Sequence, residues 1–179
     1  MSKGRVLAAL TAALLIGGGG WRLTHPPKPG GDVASQGRQP MNAAHEKVFL
    51  NEQLRRDPTH TPILLRLAQI ERSEGDLQGA RKHLEQALVN DRKQVDVHLE
   101  LGLVCWELGD FAAAEEQNRA VLRLDPGQAD ALYNLGAIYA NRGDAKQARD
   151  FWAIAVRTGR NSDAAEKSKR AIERLEAMR

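Results

Sequence analysis

The sequence predicts an all-α fold, a right-handed α-solenoid of three helix pairs with a capping helix at each end. Three observations carry that expectation. The stretches EGDLQGA, LGDFAAA and RGDAKQA set Gly75, Gly109 and Gly143 apart by 34 residues each time. Leucine and small residues recur in phase with those glycines. Aromatic residues make up only 4% of the chain, low for an all-β core and usual for helices packed through Leu and Ala. A fixed period with Gly-Asp between apolar runs reads as stacked helix–turn–helix units. Arg142-Gly143-Asp144 spells an adhesion tripeptide, but Arg142 stands where the other units have Glu74 and Leu108. Only Gly-Asp recurs, so it reads as a turn.

At the N-terminus, Lys3 and Arg5 precede the apolar run Val6–Ile16, four glycines and Trp21. A short positive region before an apolar run is an export signal. Residues 1–21 are expected to act as a signal peptide or a single membrane anchor, and both remain open. The apolar run has the length of a signal-peptide core. Counted through Leu23 it makes a helix of about 27 Å, barely enough for a bilayer. No cysteine follows the run, so it is not a lipoprotein signal. Residues 22–40, RLTHPPKPGGDVASQGRQP, are rich in Pro, Gly and small polar residues and read as a flexible linker. The expected location is therefore outside the cytoplasm, with the repeat domain membrane-anchored in the periplasm or, after cleavage, secreted.

Residues 41–60 read as a capping helix, the second half of a missing unit, because Asp57-Pro58 lies two periods before Asp125-Pro126. Three units follow, 61–94, 95–128 and 129–162. Their seventh places hold Leu67, Leu101 and Leu135, and their eighth Ala68, Gly102 and Gly136. Ala80, Ala114 and Ala148 stand at the twentieth, and Ala87, Val121 and Ala155 at the twenty-seventh. Small residues at places eight and twenty are expected to face one another, letting the two helices of a unit approach closely. Residues 163–179 read as a charged C-terminal capping helix, with Asp163 and Glu166 at capping-box spacing.

This pattern resembles the tetratricopeptide repeat, in which each unit is a pair of antiparallel helices, A and B. The likeness departs at place four (Leu64, His98, Leu132), at place eleven (Glu71, Cys105, Tyr139), and at the closing proline, kept only as Pro126. The resemblance implies a concave groove lined by the A helices that receives a peptide or protein segment. Carried onto this chain, the groove residues are Leu65, Gln69 and Arg72 in the first unit. The second supplies Leu99, Leu103, Trp106 and Glu107, and the third Tyr133, Ala137 and Asn141, with Asn134 near the rim. Leu99, Leu103 and Trp106 form an apolar stripe at i, i+4, i+7, with Trp106 as the expected main anchor. Asp96 and Asp130 would repel a terminal carboxylate, so the expected partner is an internal peptide or an amphipathic helix of another protein.

Other classes fit poorly. Lys3, Arg5, Arg22, Lys28 and Arg38 against Asp32 give residues 1–40 a net +4, leaving −1 on the rest of a chain whose total is +3. A nucleic-acid binder would carry its basic stripe on the folded part. His45-Glu46 lacks the second histidine of a zinc-protease helix, and the remaining histidines show no ligand spacing. No metal, cofactor or catalytic residue is expected. Cys105, the only cysteine, reads as a small buried hydrophobe. The chain is thus expected to be a non-catalytic interaction scaffold for complex assembly in the envelope; the alternative is a structural homo-oligomer that uses the same apolar groove for self-association.

Overall fold

Residues with strong helix propensity fill each stretch between the Gly-Asp and Asp-X turns, and each stretch is helical. The computed structural model describes residues 42–178; the apolar run and the linker lie outside them. Among the described residues there are eight helices and no strand: α1 (Ala43–Arg56), α2 (Thr61–Glu74), α3 (Leu77–Asn90), α4 (Val95–Glu107), α5 (Phe111–Leu124), α6 (Ala129–Asn141), α7 (Ala145–Thr158) and α8 (Asp163–Ala177). None is long and apolar enough to cross a membrane. Each helix packs on its neighbours in sequence. In addition α2 touches α4 and α6 touches α8, whereas no two B helices pack to a similar extent. The A-helix side, where α2 meets α4 and α6 meets α8, is therefore the closer, inner side.

The turn inside each pair is built the same way three times. Gly75, Gly109 and Gly143 have φ of 86°, 78° and 83°. In the first turn Gly75 N–H donates to the Arg72 carbonyl and Asp76 N–H to the Glu71 carbonyl, at 3.1 and 2.9 Å. The other two turns repeat both bonds, so three A helices end in a Schellman motif. Asp76, Asp110 and Asp144 then cap the B helices, their carboxylates accepting from the backbone of Gly79, Ala113 and Gln147. Every residue of the Arg-Gly-Asp tripeptide is thus structurally employed, Arg142 by its ion pair with Glu115. Between units, Asp57, Asp91 and Asp125 accept from the backbone N–H two residues on, so an Asx turn survives where proline is replaced by Arg92.

The leucines of place seven and the small residues of places twenty and twenty-seven are all buried, none more than 3% exposed. The space left by the eighth-place glycines is filled differently from expectation. Its occupant is place twenty-four of helix B. A Cβ on Gly136 would lie 2.3 Å from Nε1 of Trp152, and one on Gly102 would lie 2.8 Å from Nδ2 of Asn118. Trp152 donates its indole N–H to the Tyr133 carbonyl at 3.1 Å. Buried Asn118 donates to the Ala114 carbonyl and accepts from Asn134. At α8, Ser162 takes the capping role expected of Asp163, its hydroxyl accepting from Ala165 N–H at 3.1 Å. Asp163 instead pairs with Lys167.

A polar seam joins successive units. At two junctions place twenty-one of a B helix meets places eleven and fourteen of the next A helix; at the junction between them place twenty-one is Arg81, which reaches Asp110 at 3.4 Å. Lys47 on α1 reaches Glu71 and Glu74 on α2 at 3.7 and 2.8 Å, and Glu71 also accepts from His83 at 2.7 Å. Two units on, Glu115 accepts from Arg119 and from the Tyr139 hydroxyl, and pairs with Arg142. Burial works against the Glu115 charge, but hydrogen bonds from Tyr139, Arg119 and Arg142 outweigh it and hold its carboxyl below the usual range. Cys105 is 1% exposed, and burial pushes its thiol up, away from reactivity.

Two outcomes follow for stability. Gly136→Ala should cost about 1–3 kcal/mol in urea denaturation, and more than Gly102→Ala, because a rigid indole yields less than an amide tip. The depressed Glu115 carboxyl stabilises the fold fully above its unfolded pKa and loses that contribution as pH falls below about 4.5. Glu115→Gln should therefore flatten the acid limb of the melting curve; an unchanged limb would mean the cluster contributes nothing.

Candidate functional site

The A-helix face begins at α2, whose proline at its second residue and His60 cap start the helix in register. Leu65 is half-buried against the main apolar cluster, and Gln69 is half-buried beside it. Arg72 leans across to α4, where its Nε donates to Glu100 at 2.7 Å and its Nη1 to Glu107 at 2.8 Å. Glu100 is only 9% exposed. Removing Arg72 would leave that carboxylate near-buried without a cation, the costly way to break an ion pair. Arg72 therefore bridges two carboxylates and clamps α2 to α4; the trio keeps a net charge of −1, and Arg72 is no free cation for a ligand.

On α4 the three apolar residues divide into two kinds. Leu99 and Leu103 are half-buried yet belong to neither apolar cluster. Trp106 is half-buried too, but packs on the main cluster, its ring 4.9 Å from that of Phe111 in an edge-to-face contact at 65°. Phe111 was absent from the sequence reading. Its signal was available: it opens helix B five residues after Trp106, and the three-residue turn Leu108-Gly109-Asp110 brings those two places together. Trp106 is accordingly both a packing residue and part of the inner face, held in one orientation by its neighbour.

The third unit offers less free surface. Tyr133 and Ala137 pack on a second cluster that includes Ala171 of α8, so the C-terminal helix covers part of their face. Burial raises the Tyr133 phenol, with Lys167 and Arg174 of α8 opposing. Asn134 turns inward, donating to the Asn118 side chain at 3.0 Å, and is spent on packing α5 against α6. Asn141 is half-buried at the end of α6. What remains is an apolar patch centred on Leu99, Leu103 and Trp106, bordered by Leu65, Gln69 and the Arg72–Glu100–Glu107 cluster. Among the described residues, no group of histidine, cysteine and carboxylate side chains could hold a metal ion. The patch offers apolar contact and few polar anchors, which suits a peptide or helix face.

Comparison with known proteins agrees with this geometry. The tetratricopeptide-repeat family matches residues 65–129 and 106–165, together more than half the chain. Over 93 residues the chain is 31% identical to Protein O-mannosyl-transferase Tmtc1 of Drosophila melanogaster. That match takes in 49% of this chain but 11% of the fly protein, so the chain spans about a tenth of that relative's length. The fold is similar to that of YrrB, described as a TPR protein with an unusual peptide-binding site, at a TM-score of 0.64 and 22% identity over 72% of this chain and 66% of that one. It is also similar to the first TPR of Spaghetti (RPAP3) bound to the HSP90 peptide SRMEEVD, at 0.60 and 13%, over 66% of this chain and 91% of that one. At those identities the two structures bear on the fold alone. The sequence match, the three in-phase helix pairs and their shared turn together establish that the chain belongs to the tetratricopeptide-repeat family, whose members mediate protein–protein interaction.

Proposed function

We propose that the chain is a non-catalytic scaffold whose inner face binds an internal peptide or an amphipathic helix of another envelope protein, for complex assembly. The observation that carries this reading is the α4 stripe. Two leucines stand half-exposed outside the core, next to a tryptophan already fixed by Phe111. Fixing an aromatic before binding lowers the entropy lost on association, and such anchors dominate binding energy. The Arg72 cation is already shared by Glu100 and Glu107, which disfavours recognition of an acidic segment. Similar folds with a peptide-binding site or a bound peptide support the choice of ligand class.

Leu103 gives a cleaner test than Trp106, which also packs on the core. A photo-crosslinking residue at position 103 should capture one predominant protein in the native envelope. Leu99→Ser with Leu103→Ser should abolish that capture, a loss of at least about 1–2 kcal/mol or five- to thirty-fold in affinity. The helical melt should stay nearly unchanged. Capture that survives the double substitution would remove the stripe from the binding site.

The N-terminal run, whether retained as an anchor or cleaved, would place the repeats outside the cytoplasm. Its positive residues precede the apolar segment, the order that keeps the N-terminus inside. A reporter active only in the cytoplasm, fused after residue 40, should be silent. Strong activity would overturn the export reading.

A further inference from the structure

Apart from the inner face, two apolar surfaces lack a cover among the described residues. The first is on α1, where Val48 and Phe49 are 71% and 53% exposed. Phe151 holds the same place in the third unit as Phe49 would in the missing one, and it stacks on Tyr139 with ring centroids 5.4 Å apart. Phe49 thus stands at a place where the repeat meets another helix.

The second surface is a groove on the outer side, between α3 and α5 and floored by α4, with a volume of about 500 Å³. Leu88 and Leu101 line it, and Val89 and Leu124, 80% and 41% exposed, form its lip. His98 closes the floor, its ring nitrogens 2.8 Å from the Gln117 side chain and 3.0 Å from the Arg92 carbonyl. Glu85 on α3 precedes Arg92, which follows that helix, and along α5 Glu116 precedes Arg123, so the acids lie nearer the N-terminal ends of the two helices and the arginines toward their C-terminal ends.

We propose that this outer groove receives α1 of a second copy, laid antiparallel to α3 and α5. Val48 and Phe49 then meet Leu88, Val89 and Leu124, so one contact covers four of the five large hydrophobic side chains left exposed among the described residues. One to two turns beyond Phe49 on the same face come Arg55 and Arg56, 80% and 70% exposed and held to Glu52 only at 3.4 Å. The antiparallel direction sets them against Glu116, and against Glu85, which already bonds Arg81 at 2.7 Å. The parallel direction would set them against Arg92 and Arg123, and that repulsion fixes the orientation. Within one chain the contact cannot form. Glu46–Arg66 and Lys47–Glu74 pairs, at 2.6 and 2.8 Å, bind the other side of α1 to α2. Two different surfaces are joined, so each copy carries one donor and one acceptor, and assembly proceeds head to tail. The inner leucine stripe stays free for a partner.

Sedimentation velocity of the full chain in detergent micelles at rising concentration tests this. The wild type should self-associate. Phe49→Asp, which blocks the donor, and Leu124→Asp, which blocks the acceptor, should each weaken association at least about tenfold. Mixed in equal amounts they should give dimers and nothing larger, because one intact donor meets one intact acceptor. Leu103→Asp on the inner face should leave association unchanged. Circular dichroism checks folding; if either variant loses helicity, Val48→Asp and Val89→Asp, at more exposed positions, replace them. A monomeric wild type, association that survives both blocks, association lost in Leu103→Asp, or a mixture that stays monomeric would each overturn the proposal.

Discussion

In every unit a glycine with φ near 80° reverses the chain while the next aspartate caps helix B. Two residues thus satisfy the carbonyl end of one helix and the N–H end of the next. No slack is left, so the B helix must return along the A helix at a fixed offset. That offset brings place eight beside place twenty-four and place twelve beside place seventeen. The Gly136–Trp152 approach and the Trp106–Phe111 contact are both consequences of it. Any other residue at the glycine would have to adopt a left-handed backbone, and side chains resist that.

Given the fixed offset, the chain fills the same positions with different chemistry. Place twenty-four is Leu84, then Asn118, then Trp152, all buried. Place eleven is Glu71, Cys105 and Tyr139, and each is matched by its surroundings. Buried Glu71 is neutralised by Lys47 and bonded by His83, while the Tyr139 hydroxyl joins the Glu115 cluster. These are costly groups to bury unpaired, and the seam between places twenty-one, eleven and fourteen is what satisfies them. Because the junctions carry different partners, Lys47 with Glu71 and Glu74, Arg81 with Asp110, and Glu115 with Tyr139 and Arg142, adjacent units are not interchangeable even though their backbones are alike.

The period, the turns and the caps were legible in the sequence because each depends on residues a few positions apart whose types are dictated by backbone geometry. The A-helix face was legible only through the family resemblance. What the sequence hid were pairings between units. Arg72 meets Glu100 and Glu107, 28 and 35 residues on, and nothing within one unit announces that. Asn134 looked like a rim residue because its place is near the face; a buried Asn118 at place twenty-four draws it inward. The occupant of the eighth-place gap was also misread, since Leu84, Asn118 and Trp152 share no type from which a pattern could be seen. Ser162 displaced Asp163 as a cap by one residue, the usual uncertainty of a helix end.

The two ends of the solenoid are finished unlike one another. At the C-terminus, places four, seven, eight and eleven of a fourth unit would be Glu166, Lys169, Arg170 and Glu173, all exposed. Arg170 stands where the repeats need glycine or alanine, so no further B helix can close on α8. Stacking stops there because the face that would receive another helix is charged. At α1 the matching surface carries Val48 and Phe49 instead, and charge does not stop it. Among the described residues, the charged face of α8 cannot receive the aromatic surface of α1, which disfavours simple end-to-end stacking of these two helices. A second copy that covers Phe49 must therefore do so with an apolar surface away from this α8 face, and the groove at Val89 and Leu124 is such a surface.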